Sequence, residues 1–148
     1  MVVEPFGGSF TLQLTGGMKM VGIVVISHSQ KAAEGTAELA KMMAPNAPIV
    51  PAGGMDDGGL GTSFTKISNA VDAVYSNDGV AFIMDMGSAV MTAEMVVEAL
   101  SDKKLKLLDC PMVEGAIIAA VEVVGGTKLE DLQEKVDAAR EPKIDDAL

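Results

Sequence analysis

Four short apolar runs alternate with segments of helical periodicity along this chain, and this alternation constrains the fold more than any other feature. The runs lie at Val21 to Ile26, Ile49 to Ala52, Val80 to Met84 and Leu105 to Leu108, and each predicts a buried strand. Strands that alternate with helices indicate an α/β fold with a largely parallel sheet and right-handed crossovers.

The segments between these runs carry helix signals. The spacing of apolar residues and the positions of capping residues and prolines predict five helices. The first predicted helix runs from Ser29 or Gln30 to Met43 and is ended by Pro45 and Pro48; the second has an apolar face of Phe64, Ile67, Val71 and Val74 and is capped by Thr62 or Ser63. The third is capped by Ser88 and runs to Leu100, with Met91, Val97 and Leu100 facing inward. The fourth runs from Val113 to Val124, and the fifth has an inner stripe of Leu129, Leu132, Val136 and Ala139.

The two ends of the chain differ in composition from its centre. Glycine pairs bracket a short alternating run in residues 1–17, which we interpret as a leader added for expression or a variable extension. An added edge strand at Phe10 to Leu14 is the alternative. Residues 18–140 are predicted to form one domain, followed by a polar, frayed tail at residues 141–148.

Composition excludes several classes of function. The formal net charge of −10 and the pI near 4.4 argue against binding to nucleic acid or to an anionic membrane surface. No apolar run approaches the roughly 18 residues of a membrane span, and the start lacks the basic region of a secretory signal, so we expect a cytoplasmic protein. One cysteine excludes an intrachain disulfide and a multi-cysteine zinc site.

Polar and glycine residues follow each predicted strand, at the sheet edge where α/β proteins bind ligands. His28 follows the first strand and is the only histidine. It cannot form a multi-histidine metal site, and no G-x-S-x-G elbow supports acyl transfer. The remaining role for His28 is that of a nucleophilic imidazole that carries a transferable group. Asp85 ends the third strand and could fix the imidazole tautomer; a solvated strand end or a helix cap is the alternative.

Two glycine-containing segments precede helices, and free amides at helix starts attract phosphate oxygens. The first is Gly58 to Ser63 and the second is Met86 to Ser88; the alternative for the second is simple N-capping by Ser88. Beside one histidine, two such starts favour a phosphoryl group on the imidazole. The predicted phosphate-binding residues are Ser29, Gly61, Thr62, Ser63, Gly87 and Ser88.

The remaining candidates have structural explanations. Asp56 and Asp57 are typical of a solvated turn rather than a magnesium site, and we predict no metal site in the chain. Cys110 is interpreted as a small buried apolar residue.

Four sequence strings, taken together and in order, resemble the DhaM family, the phosphocarrier subunits of phosphotransferase-dependent dihydroxyacetone kinases. They are V-G-I-V-V-I-S-H-S at Val21 to Ser29, A-G-G-M-D-D-G-G-L-G-T-S, M-D-M-G-S-A and P-M-V-E-G-A. The similarity runs from about Met20 to Val136. The family is similar to the IIA domains of mannose-type sugar phosphotransferase systems.

The resemblance implies a fold, a reaction and partners. The fold is a doubly wound, mainly parallel sheet of four to five strands with helices on both faces, in a homodimer. The reaction is a phosphotransferase step in which His28, oriented by Asp85, accepts a phosphoryl group from the carrier HPr. The group then passes to ADP in the nucleotide-binding subunit of the kinase, which phosphorylates dihydroxyacetone. Magnesium and ADP belong to that partner, and no covalently bound cofactor is expected here.

Three alternatives remain at this stage. The first is a IIA domain that serves a mannose-type sugar transporter, although the G-G-M-D-D-G-G-L-G-T-S and M-G-S-A strings favour the kinase branch. The second is a regulatory module whose histidine signals without onward transfer. The third is a flavodoxin-like binder of a small ligand, which five aromatic residues in the whole chain make less favoured.

Overall fold

The computed structural model describes residues 20–145. The predicted leader at residues 1–17, with its alternative strand at Phe10 to Leu14, and the last three residues of the predicted tail lie outside this range. The strands and helices are β1 (Gly22–Ser27), α1 (Gln30–Met43), β2 (Ile49–Gly53), α2 (Phe64–Val74), β3 (Val80–Met84), α3 (Gly87–Ala99), β4 (Leu105–Leu108), α4 (Met112–Val124) and α5 (Leu132–Val136).

The four strands form one parallel sheet in the order β2-β1-β3-β4. The connection after β1 leads to one edge of the sheet, and the connection after β3 leads to the other. The order therefore reverses between β1 and β3, and ligands of open α/β sheets bind beside this switch point. His28 and Asp85 directly follow these two strands.

Both faces of the sheet are covered by helices, because alternate residues of each buried strand point to opposite faces. In β1, Ile23 and Val25 join the core under α1, α4 and α5. Val24 and Ile26 join the second core under α2 and α3. The sheet thus has four strands and helices on both faces, which confirms the predicted doubly wound α/β fold.

Helix α3 departs from two predictions. Ser88 does not cap it, because the helix begins at Gly87 and its N-cap residue is Met86, two positions before Ser88 and without a side-chain hydrogen bond. Met91 is not inward: its exposure is 67%, while Ala89 and Ala93 are buried. Two residues along a helix correspond to a rotation of about 200°, so Met91 and Ala89 lie on opposite sides. The predicted inward pattern was therefore wrong at Met91.

The predicted last helix is divided into three short pieces. A 3₁₀ turn at Leu129–Asp131 precedes α5, and another at Asp137–Arg140 follows it. Leu129, Leu132 and Val136 are buried as the apolar stripe predicts. Beyond this segment, the Lys143 side chain forms an ion pair with Glu114 at the start of α4, with 2.6 Å between Nζ and Oε2.

The edge strand β2 offers few groups to an additional strand. The Pro48 carbonyl accepts a hydrogen bond from the Ile23 amide of β1. The backbone polar groups of successive strand residues point alternately to the two sides of the strand. Those of Pro51 and Gly53, an odd number of residues further on, therefore point away from β1. Pro51 has no N–H group, and the Lys66 ammonium donates to the Gly53 carbonyl at 3.0 Å. Proline and lysine at an edge hinder pairing between sheets.

Among residues 20–145, no helix combines the length and the apolar character needed to cross a membrane.

Two glycines give a matched test of the packing at the carboxyl edge of the sheet. A Cβ on Gly53 would lie 2.5 Å from the Ser29 carbonyl oxygen, whereas a Cβ on Gly35 of α1 would meet nothing within 4 Å. We expect Gly53→Ala to lower the free energy of unfolding by about 1–3 kcal/mol. Gly35→Ala should raise it by roughly 0.5–1 kcal/mol. Urea denaturation measures both, and an unchanged stability of Gly53→Ala would contradict the close approach.

Candidate functional site

The ends of β1 and β3 bring His28 and Asp85 together. The two strands are paired up to Ile26 and Met84, so the residues just beyond them emerge at the same edge. The Asp85 amide still donates to the Ile26 carbonyl at 3.1 Å, which continues the ladder to the site. The contact between the two side chains thus follows from strand register, as the sequence predicted.

The carboxylate of Asp85 accepts hydrogen bonds from three donors. Its Oδ1 lies 3.0 Å from Nδ1 of His28. Its Oδ2 accepts from the backbone N–H of His28 at 3.0 Å and from the Ser27 hydroxyl at 2.9 Å. The aspartate therefore contacts both the backbone and the ring of the same histidine.

These contacts decide which nitrogen of His28 is available for chemistry. An ionised carboxylate only accepts hydrogen bonds, so the imidazole proton must be on Nδ1. The lone pair of the neutral ring is then on Nε2, which lies 2.5 Å from the Ser88 hydroxyl oxygen, where the hydroxyl acts as the donor. The His28 side chain is 23% exposed, so an incoming group can reach it.

The pKa of Asp85 is lowered by its surroundings. Burial raises the pKa, but the hydrogen bonds from the His28 backbone, the Ser27 hydroxyl and the His28 ring lower it further than burial raises it. The carboxyl group is therefore ionised at neutral pH, as the assigned tautomer requires.

The start of α3 faces the available nitrogen. The amides of Ala89 and Val90 donate to the Met86 carbonyl, whereas those of Gly87 and Ser88 begin the helix, where N–H groups lack intrahelical acceptors. A Cβ on Gly87 would meet nothing within 4 Å, so the space beside it is open. A helix start of this kind attracts an anion.

The loop after β2 is fixed to the end of β1 by its backbone. The Gly54 amide donates to the Ser27 carbonyl at 3.1 Å, and the Gly61 amide donates to the His28 carbonyl at 2.8 Å. Both glycines have positive φ angles, 75° and 139°, in which other residues are strained. The Gly61 amide therefore positions the histidine backbone instead of pointing to open space.

The other predicted phosphate-binding side chains have partners within the chain. Ser29 accepts from the Ala32 amide as the cap of α1, and Thr62 shares a hydrogen bond with Thr92. Ser63 accepts from the Lys66 amide as the cap of α2 and donates to Asp56. Of the six predicted residues, Ser88 contacts Nε2 of the ring, and Gly87 precedes it as the first residue of α3.

Asp57 and Cys110 lie away from the contacts of the His28 ring described above. Asp57 accepts from the Gly59 amide at 2.8 Å within an exposed turn. In the described range, no group of three His, Cys, Asp or Glu residues is arranged to hold a metal ion. Cys110 is partly buried, and burial raises the pKa of its thiol to about 11.

Ser27 is a site residue that sequence reasoning missed. The sequence places it directly after the predicted strand Val21 to Ile26, and no role was predicted for it. The residue is 1% exposed, although serine is usually exposed. The sequence signal for such a role was its position: a polar residue between a buried apolar strand and the only histidine.

Comparison with known proteins finds a matching family model and a similar fold. A family model named EIIA-man, described as the phosphotransferase system fructose IIA component, matches residues 22–138. In solved structures, the fold is similar to a phosphotransferase system component EIIA from Streptococcus agalactiae, with a TM-score of 0.64 and 18% identity over 86% of this chain and 98% of that chain. At this identity the similarity concerns the fold alone.

Curated relatives are named as DhaM subunits. A phosphoryl donor subunit DhaM of PEP-dependent dihydroxyacetone kinase 1 from Listeria innocua is 39% identical over 71% of this chain and 83% of its own length. A phosphoryl donor subunit DhaM from Escherichia coli is 35% identical over 82% of this chain but only 28% of its own length. The chain thus spans most of the first relative and less than a third of the second.

The lowered pKa of Asp85 predicts a pH-dependent stability. A carboxyl group whose pKa is lower in the folded state stabilises that state above its unfolded pKa of about 3.9. This contribution is lost as the pH falls through the folded pKa. The wild type should therefore exceed Asp85→Asn in free energy of unfolding at neutral pH, with a difference that shrinks below about pH 4. Urea denaturation over this range measures it, and a pH-independent difference would contradict the lowered pKa.

The raised pKa of Cys110 predicts a slow thiol. At about pH 8, the folded protein should react with iodoacetamide on the order of a hundredfold more slowly than the urea-unfolded chain, since the thiolate is the reacting form. Mass spectrometry follows the single adduct. Equal rates in the folded and unfolded chain would show that the thiol is not shielded.

Proposed function

Because this chain belongs to the EIIA-man family and to the DhaM group of subunits, we propose that it carries a phosphoryl group on Nε2 of His28. The observation that carries the proposal is the hydrogen bond of 3.0 Å between Nδ1 and Asp85. It leaves the lone pair of Nε2 directed to the start of α3, where an anion is favoured. The imidazole is thus a nucleophile placed next to a site for negative charge.

In the proposed acceptance step, the Nε2 lone pair of His28 attacks the phosphorus atom of a phosphohistidine on the donor protein. The new P–N bond forms as the P–N bond of the donor breaks, and that electron pair returns to the donor ring. The Nδ1 proton stays in its hydrogen bond to Asp85. The negative carboxylate offsets the positive charge that develops on the ring.

The phosphoryl oxygens would replace Nε2 as the acceptor of the hydrogen bond from the Ser88 hydroxyl. Once Nε2 is bonded to phosphorus it no longer accepts a hydrogen bond, so the hydroxyl can donate to a phosphoryl oxygen instead. The Gly87 and Ser88 amides and the helix dipole stabilise the negative charge that is spread over these oxygens. Ser29, Gly61, Thr62 and Ser63 contribute by holding the backbone and helix starts around the ring.

We propose HPr as the donor and the nucleotide-binding subunit of dihydroxyacetone kinase as the acceptor. The names of the DhaM relatives, which describe phosphoryl donor subunits of PEP-dependent dihydroxyacetone kinases, support this choice. In this proposal ADP and magnesium are held by the acceptor subunit, and the chain itself has no covalently bound cofactor. A homodimer and a cytoplasmic location stay predictions.

We expect a single acid-labile phosphoryl adduct on this chain. The full chain is incubated with phosphoenolpyruvate, enzyme I and HPr, and its intact mass is recorded. His28→Ala should fold, because the side chain is at the rim of the site, yet it should gain no phosphoryl group. Normal phosphorylation of His28→Ala would show that another residue is the carrier.

The acceptor is identified by discharging the adduct. Adding the ADP-loaded nucleotide-binding subunit of the kinase should remove the phosphoryl group and form ATP. Discharge only by the sugar-transporting components of a mannose-type system would favour the transporter alternative. A stable adduct with both acceptors would favour a regulatory module.

A further inference from the structure

We propose that Ser27 is a positioning residue of the phosphoryl-transfer site, which it serves through Asp85 and the turn into α1 without touching the transferred group. The inference rests on the proposed function of His28 and extends it to a residue that does not face the reacting atoms. It follows from the placement of one buried hydroxyl group between the two chain segments that form the site.

The Ser27 hydroxyl is used in both directions. It donates to Oδ2 of Asp85 at 2.9 Å and accepts from the Ser29 amide at 3.0 Å. Ser27 and Thr36 are the buried polar residues among residues 20–145. A buried hydroxyl group needs such partners, because burying it without hydrogen bonds is unfavourable.

The first bond orients the carboxylate. With the Ser27 hydroxyl and the His28 amide both on Oδ2, rotation of the Asp85 carboxyl group is restricted. Oδ1 is then the oxygen directed to Nδ1 of the ring. Without the hydroxyl, Oδ2 loses one of its two donors, and the carboxylate can rotate or take a water molecule.

The second bond orients the histidine backbone. The Ser29 amide would otherwise have to find another acceptor at a partly buried position, and Ser29 is also the cap of α1. Because His28 lies between these two serines, the turn that carries the ring is fixed on both sides. One side chain thus controls both the orientation of the ring and the proton that defines its tautomer.

The consequence is a distinct phenotype for loss of this hydroxyl. We expect Ser27→Ala to slow phosphoryl acceptance by about ten- to a hundredfold, which is the effect typical of removing an indirect partner of a functional histidine at metal sites. The proton of the neutral ring should also move partly from Nδ1 to Nε2. A residue with a merely structural role would lower stability without changing the tautomer.

Thr36 provides a matched control. Thr36 is also a buried residue, and its hydroxyl donates to the Ala32 carbonyl at 2.8 Å, two turns of α1 away from the site. Thr36→Val removes that hydroxyl with little change in shape. It should lower stability, as Ser27→Ala does, but leave the tautomer and the acceptance rate as in the wild type.

The experiment uses the untagged full chain, in which His28 is the only histidine, so its imidazole signals need no assignment by mutation. ¹⁵N NMR of the ring gives the tautomer, rapid-quench mass spectrometry with phospho-HPr gives the acceptance rate, and urea denaturation gives stability. Ser27→Cys, which keeps the volume with a weak donor, replaces Ser27→Ala if the alanine variant does not fold.

The outcomes separate this inference from the proposed function. A shifted tautomer and a slowed acceptance in the Ser27 variant, with neither in Thr36→Val, support the inference. A wild-type tautomer and rate in the Ser27 variant, or the same shifts in Thr36→Val, overturn it. If the wild type accepts no phosphoryl group, the proposed function fails, and the positioning role in transfer fails with it. A tautomer shift in the Ser27 variant would in that case still show that Ser27 orients the ring.

Discussion

The carboxylate of Asp85 is the interaction on which the rest of the site depends. It accepts from the ring and the backbone of His28 and from Ser27, so it fixes the position, the orientation and the tautomer of one imidazole. The ring nitrogen that remains has its lone pair directed to the Ser88 hydroxyl and the start of α3. A nucleophile and a favourable place for negative charge are thereby set next to each other before any substrate arrives.

The fold supplies this arrangement through strand order. Because β1 and β3 are neighbours while their connections leave toward opposite edges of the sheet, the residues after them meet in an uncovered crevice. The glycines after β2 then let a loop pack closely against the end of β1, where Gly54 and Gly61 donate to the Ser27 and His28 carbonyls. The rigid buried strands therefore place the reactive groups, and the loops complete their hydrogen bonds.

The fold and the central pair could be predicted from sequence because they depend on patterns that are local or follow from topology. Short β-branched runs predict strands, and parallel strands bring the residues after them, such as His28 and Asp85, to one edge. The predictions that failed depend on small shifts along the chain and on packing. Ser88 was expected to cap α3, but the turn begins at Met86, which frees the hydroxyl for the imidazole. The amide of Gly61 was expected to face a phosphate but bonds to the backbone, and the partners of Ser27 exist only after folding.

The central claim is that the hydrogen bond to Asp85 leaves Nε2 of His28 as the nitrogen that accepts the phosphoryl group. The most direct test is to phosphorylate the ¹⁵N-labelled chain through HPr and to identify the phosphorylated ring nitrogen by coupled ³¹P and ¹⁵N NMR. The account predicts a bond between phosphorus and Nε2, with the proton retained on Nδ1. A bond between phosphorus and Nδ1 would contradict it, because that nitrogen would have to leave the carboxylate before it could react.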